Sequence, residues 1–325
     1  MDKKETFFVN IFPMNDRRDE MNFKAVADEV VQFSVDMGFK YTLVTVGDKR
    51  LDPWMVSQYC MAKNDKFNPL IAVNPFYQHP IDIVKKVVAL DKMFSNKVAL
   101  NFVTGSFFGE LKAVTDKLSF EERGNRLKEF FHLVQSLLIA KKPVTFQGQY
   151  YHLDSADVYP KFSKNSFESF VSGALLNEFK DQKDAFFVKS IRPLDQMSSA
   201  NAQHCGLGLG ICARNTKEEA IAVANHLFPE DRRGEMLFGF SIANNETPWN
   251  KWLKDYLKDG KEDYSFFLRP LKNFWSSTPY IVGSYQEVAE KIKQYSDLGY
   301  SFFVLDFLPE EATHVQRCLE IFRNL

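Results

Sequence analysis

The side chains best placed for chemistry in this chain are mostly neutral. Asn10, Asn15, Thr45, Asn74, Asn101, Thr104, Ser106, Ser172 and Ser190 each end or follow a short apolar run, with Arg50 the cation among them. Amides and hydroxyls in such places hold a ligand by hydrogen bonds. They do not suit a dication, which takes clustered carboxylates or imidazoles. Asn15, Arg50 and Asn74, after the first three runs, are the candidates for contact with a reacting substrate. Nucleophile–base chemistry is poorly provided for, because there is no G-x-S-x-G and His132 and His152 fall inside a helical and a hairpin pattern. The six histidines form no H-x-x-x-H or H-E-x-x-H pair, so a metal is not expected. Phe170-Val171-Ser172-Gly173-Ala174 ends an apolar run and opens a helix. Small residues there let a phosphate reach free backbone N–H groups, although the same residues also make an ordinary turn.

Residues of this kind need a frame, and the apolar pattern supplies one. Short runs at 7–12, 41–46, 70–73, 98–103, 167–171, 185–188, 205–212 and 301–306 read as strands. Helical spacing or helix starts fall at 20–37, 54–62, 81–94, 120–139, 175–181, 216–227, 285–297 and 310–322. Ile281-Val282-Gly283 leads into the helix at 285–297. Buried parallel strands read as continuous apolar runs, as these do. Eight strands alternating with helices predict a (β/α)8 TIM barrel over 1–325, with its chemistry at the strands' C-terminal ends. An open doubly wound sheet is the alternative, but no G-x-G-x-x-G follows the first strand. Two stretches break the rhythm. Residues 144–160 form an excursion after strand four, and 229–279 form an insertion before strand eight. The insertion is rich in Pro, Trp, Tyr and Phe, and it reads either as a lid or as structure packed on the barrel's side.

Composition narrows the class further. The 41 basic and 42 acidic residues leave a formal charge of −1, with no basic stripe for nucleic acid. The N-terminal apolar stretch is too short for a signal sequence or a membrane span, so a cytoplasmic protein is expected. Four dispersed cysteines are expected as buried thiols. The 32 Phe fill core, and such an excess also suits an aromatic-walled cavity.

Asp52-Pro53-Trp54, Asn101-Phe102-Val103-Thr104-Gly105-Ser106, Ser119 to Arg123, Phe146-Gln147-Gly148-Gln149-Tyr150-Tyr151, Arg214 to Ala220, and Val282-Gly283-Ser284 with Glu287-Val288-Ala289-Glu290 carry a resemblance. In order and wording they resemble the bacterial luciferase-like flavin-dependent monooxygenases, nearest the alkanesulfonate branch. The resemblance implies a (β/α)8 barrel, often a homodimer, that takes reduced FMN from a separate NAD(P)H:flavin reductase. With O2 it would oxidise a small organic molecule, and the protein's part is to position the cofactor and exclude water. By position, Asn101 and Thr104 would contact the flavin, and Ser172, Gly173, Ala174 and Asn177 would surround its phosphate.

Departures from that branch are equally specific. Arg50 stands where a Cys is expected, Gly124 where a Tyr is, and Gly208-Leu209-Gly210 where an R-x-H pattern is. No His follows strand two, and Asn15 to Arg18 occupy the loop after strand one where a His often sits. Sulfonate oxidation is therefore not expected. The expected function is a two-component FMNH2-dependent monooxygenase acting on an apolar or carrier-tethered substrate. The alternatives are a non-catalytic flavin-binding relative and a deazaflavin (F420)-dependent oxidoreductase.

Overall fold

A computed structural model describes residues 6–13, 22–47, 50–105, 117–164, 167–173, 179, 182, 185–198, 204–243, 247–258 and 263–325. In chain order the first elements are β1 (Phe7–Ile11), α1 (Phe23–Asp36), β2 (Tyr41–Val44), α2 (Pro53–Lys63), β3 (Pro69–Val73), α3 (Pro80–Met93) and β4 (Ala99–Val103). There follow α4 (Phe120–Ile139), β5 (Val144–Gln147), β6 (His152–Ala156), β7 (Ser169–Ser172), β8 (Ala185–Ser190) and β9 (Cys205–Arg214). The chain then forms α5 (Lys217–Leu227), α6 (Arg232–Ala243), α7 (Pro248–Lys258), α8 (Arg269–Lys272), β10 (Tyr280–Ser284), α9 (Tyr285–Asp297), β11 (Phe302–Asp306) and α10 (Ala312–Arg323). The fold is the expected α/β barrel of eight parallel strands, β1, β2, β3, β4, β7, β8, β9 and β11. Its contacts divide it into two compact units, residues 41–187 and residues 1–40 with 188–325.

In the unit of residues 41–187, β2, β3, β4 and β7 pair in parallel, with Ile71 opposite Leu100, Asn101 opposite Phe170 and Val103 opposite Ser172. The motif residues identified in the sequence turn out to build helix starts. Asp52 accepts from the Trp54 and Met55 N–H groups at 2.9 and 3.0 Å, and Pro53 fills the first helical position, where no N–H is needed. Ser119 and Glu122 form a reciprocal capping box at the head of α4. The hairpin of β5 and β6 is tied to that helix by one carboxylate. Glu129 accepts from the N–H groups of Gln149, Tyr150 and Tyr151 at 2.8, 2.9 and 3.3 Å. Gly148 permits this approach, since a Cβ there would stand 2.4 Å from a Glu129 oxygen. Beyond the hairpin, Asp91 of α3 accepts from the Ser163 N–H at 2.9 Å and faces the Lys164 ammonium at 3.6 Å.

In the other unit, β11 pairs with β1 and with the first half of β9, matching Phe302 to Phe7 and to Gly206. The second half of β9, Gly210–Arg214, pairs with β10. Residues 280–284 are thus a strand, where the sequence suggested only a lead-in to a helix. Five residues show no period of their own, and their extended form depends on the edge that the ten-residue β9 offers. Arg214, at the end of β9, makes two 2.7 Å bonds to the Glu311 carboxylate before α10.

Smaller shifts concern element ends. Asn22 caps α1, which begins at Phe23 rather than residue 20, and β8 runs to Ser190. The helix expected at 175–181 lies largely outside the described residues. Between β8 and β9 the described residues hold a single 3-10 turn, Leu194–Gln196. The insertion braces this crossover through α7. Trp249, Trp252 and Tyr256 stack at 4.9 and 5.1 Å, the Arg192 guanidinium lies 4.5 Å over Trp252, and the Trp252 indole N–H donates to Gln196 at 2.9 Å. All four cysteines are buried thiols outside any disulfide, and among the described residues no helix is long and apolar enough to cross a membrane.

Candidate functional site

Strand alternation decides which residues of β4 face the ligand side. Phe102 turns outward and meets Phe130 and Phe131 of α4 edge-on, with centroids 6.0 and 4.8 Å away. Its neighbours Asn101 and Val103 therefore point to the opposite face. There the Ser172 hydroxyl, from the adjoining end of β7, donates to the Asn101 amide oxygen at 2.8 Å. This leaves the Asn101 N–H2 group without a hydrogen-bond partner among the described residues, ready to donate. Thr104 follows one turn of chain later and is 7% exposed. Asn101, Thr104 and Ser172, proposed from sequence as cofactor contacts, thus sit on neighbouring strand ends.

Asn74, the candidate after β3, is 2% exposed. Its side-chain oxygen accepts from the Phe76 N–H at 3.3 Å and its carbonyl from Tyr77 at 3.1 Å, which folds the chain back as a turn. That turn brings the Phe76 ring against Gly105. A Cβ on Gly105, whose φ is +69°, would meet the ring at 2.4 Å and the Asn74 amide nitrogen at 2.7 Å. The glycine of the T-G pair is therefore required both by its backbone and by its neighbours. Gly173 differs. It also has a positive φ, +108°, but among the described residues nothing lies within 4 Å of where its Cβ would be. None of those residues crowds its backbone at the end of β7.

Other expected positions fare differently. Arg50 is exposed. Asn10 is fully buried and donates to Ser34 of α1 at 3.0 Å, so it braces a helix instead of lining the ligand side. Its amide satisfies a hydroxyl on the helix side of β1, which apolar periodicity does not reveal. Asn15, Ser106, Ala174 and Asn177 lie outside the described residues. Gly124 is buried within α4. Gly208 and Gly210 have a packing reason to lack polar side chains. A Cβ at Gly210 would stand 1.9 Å from the Tyr280 ring, and one at Gly208 would stand 3.1 Å from the Thr278 methyl.

Two features escaped the sequence reading. The Tyr151 hydroxyl is buried with no hydrogen-bond partner among the described residues, and burial pushes its pKa up to about 12. In the other unit, Asp306 is a carboxylate at the C-terminal end of a barrel strand. It accepts from the Ser276 hydroxyl at 2.6 Å, and Ser276 in turn accepts from the Thr278 N–H at 3.0 Å. Asp306 was legible as the last residue of strand eight. Ser276 and Thr278 lie in the insertion, where no period announces them.

Residues 12–166 match the luciferase-like monooxygenase family. Over 98% of this chain and 97% of its own length, the 4-(gamma-L-glutamylamino)butanoyl-[BtrI acyl-carrier protein] monooxygenase BtrO of Niallia circulans is 25% identical. An FMNH(2)-dependent dimethylsulfone monooxygenase of Pseudomonas fluorescens (strain Pf0-1) is 24% identical over 91% of this chain and 86% of its own. Among solved structures, a riboflavin lyase (RcaE) with modified FMN and riboflavin superposes with a TM-score of 0.73 at 12% identity, covering 99% of this chain and 92% of that one. The last likeness speaks for the barrel alone.

Proposed function

We propose that this chain is a luciferase-like monooxygenase that uses reduced FMN and O2 to oxidise a substrate tethered to an acyl carrier protein. The observation that carries the reading is the amide and hydroxyl set at the ends of β3, β4 and β7, with Asn74, Asn101 and Thr104 buried and Ser172 half-buried. The likeness to BtrO over almost the full length of both chains supports the tethered substrate, and the likeness to a dimethylsulfone monooxygenase supports reduced FMN.

The residues present fit the cofactor. Asn101 and Thr104 offer hydrogen bonds of the kind a neutral heterocycle takes, and Ser172 fixes which way the Asn101 amide points. Gly173 offers an uncrowded backbone where a phosphate would lie. When bound, reduced FMN supplies the two electrons that let one atom of O2 enter the substrate while the other leaves as water. The chain's own contribution is to bind, orient and keep dry. Phe76, held by the Asn74 turn and the space above Gly105, walls this side with an aromatic ring. A site of this kind needs few acids and bases, which agrees with the absence of the Cys, Tyr and R-x-H residues of the sulfonate branch. A separate NAD(P)H:flavin reductase would deliver the cofactor, and a homodimer is the expected assembly.

Anaerobic titration with reduced FMN should give saturable binding, and admitting O2 with a carrier-bound acyl substrate should give a product heavier by one oxygen atom. Gly173→Asp should bind reduced FMN at least tenfold more weakly than Gly173→Asn, a difference of about 1.4 kcal/mol. Both replacements carry the same backbone strain, so the ratio reads the carboxylate against phosphate. Equal affinities would remove the phosphate assignment. Binding of reduced F420 in place of FMN would point to the deazaflavin chemistry, and tight FMNH2 binding with no oxygenated product to a non-catalytic relative.

A further inference from the structure

In the unit that holds β1, β9 and β11, side-chain contacts tell the inner face of the barrel from the outer. Phe8 of β1 meets Phe322 of α10 edge-on at 5.4 Å, and its partner across the ladder, Phe303, stacks on it at 6.0 Å. Asn10 bonds to Ser34 of α1, so these residues face the helices. By strand alternation Phe302, Val304 and Asp306 of β11 turn the other way, toward the barrel's interior. Registered neighbours in a sheet share a face, which sets Gly206, Gly208 and Gly210 of β9 beside them. The glycines offer no side chain to that wall. The end of the insertion and the first residue of β10 cover it instead. Thr278 and Tyr280, both buried, bring a methyl to 3.1 Å and a ring to 1.9 Å of where the Cβ atoms of Gly208 and Gly210 would stand. The Pro279 carbonyl between them accepts from the Gly210 N–H at 2.8 Å. Just ahead of this seat, the Ser276 hydroxyl shares its proton between the Asp306 carboxylate at 2.6 Å and the Thr278 carbonyl at 2.9 Å.

We infer that Asp306 is a positioning residue: through Ser276 it fixes the turn Ser276 to Thr278 on the inner face of β9, and this turn limits the length of acyl chain the barrel accepts. The inference rests on the proposed monooxygenase reading and names what sets its substrate preference. Asp306 ends a barrel strand, on the inner face and at the end where barrel chemistry is done. Exposure is graded across the turn. Thr278 is buried, Ser276 and Asp306 are half-buried, and Ser277 is exposed. One side of the turn thus rests on the glycines, and the other meets whatever enters. The turn offers hydroxyls and a methyl but no cation, which suits an uncharged chain. A hydrogen bond from a hydroxyl to a carboxylate is short and strong, so the turn has one position. Pro279 and Tyr280 fix its far end on β9, and Asp306 fixes its near end on β11. Without the carboxylate, Ser276 keeps only its bonds to Thr278, within its own turn.

The test compares oxygenation of butanoyl and octanoyl pantetheine by the full chain with reduced FMN and O2. Wild type should favour the shorter chain in kcat/KM. Ser276→Ala and Asp306→Ala should each cut that preference at least tenfold, with the change in KM for the longer chain and not in kcat. Ser276→Thr, which keeps the hydroxyl, should keep most of the preference. The double variant Ser276→Ala with Asp306→Ala should be no worse than either single one, because the two side chains act as a unit. A wild type indifferent to chain length overturns the inference, as do variants with an unchanged preference or effects that simply add. A merely structural role would lower the melting temperature and leave the preference alone. A wild type that oxygenates neither probe overturns the proposed function instead, and hydrogen exchange then decides the anchoring. The Thr278 N–H, which donates to Ser276 at 3.0 Å, should exchange at least tenfold faster in Asp306→Ala. An equal rate overturns the role of Asp306 whatever the chemistry.

Discussion

Gly105 shows how much one residue can carry here. Its φ of +69° disfavours any side chain, and the space a Cβ would take already holds the Phe76 ring and the Asn74 amide. Gly105→Ala is expected to cost about 1–3 kcal/mol in urea unfolding, from strain and crowding together. Adding Phe76→Leu should recover the crowding part and leave roughly 1 kcal/mol for the backbone. Full additivity of the two substitutions would show that they do not touch. The sequence marked Gly105 as part of a turn, and Asn101, Thr104 and Ser172 as its polar neighbours. It could not show that the turn folded by Asn74 sets the Phe76 ring against Gly105, because that depends on two strands being adjacent.

Among elements, the segment after the β5–β6 hairpin is tied to α3 through the Asp91 carboxylate. Burial alone would raise the Asp91 pKa, but the bond from Ser163 and the charges of Lys164 and Lys92 outweigh it and hold the carboxyl below the usual range. A carboxyl depressed in the folded state adds stability above its unfolded pKa of about 3.9 and loses it as pH falls through the lower folded value. Asp91→Asn should therefore destabilise the protein at pH 7, by about 1.5–3 kcal/mol. In thermal melts the gap between variant and wild type should close as pH falls below about 4. A gap that stays constant down to pH 2 would mean that the charge of Asp91 does no work. The capping motifs of α2 and α4 were readable because caps act within four residues. β10 was not, since its pairing partner lies some seventy residues away in β9.

At the scale of the whole molecule, cofactor binding should register as stability. A ligand that binds only the folded chain at a hundred times its Kd adds about 2.7 kcal/mol. Saturating reduced FMN, kept anaerobic, should thus raise the melting temperature by several degrees, and a tenfold weaker Gly173→Asp should lose about half of the shift at the same FMN concentration. A rise with reduced F420 and none with FMNH2 would reverse the cofactor assignment without disturbing the barrel. The barrel itself was legible at this scale because eight buried parallel strands must each be a short apolar run, whatever their side chains do at the ends.

The sequence by itself determined the eight barrel strands, the residues that begin α2 and α4, and the mostly neutral character of the strand ends. All of these rest on neighbours in the chain. Only the tertiary structure decided that Asn10 supports a helix, that Ser172 orients Asn101, and that Gly208 and Gly210 make room for Thr278 and Tyr280. It alone revealed that the insertion ends on Asp306. Those facts depend on contacts between residues far apart in the chain, which no local period encodes.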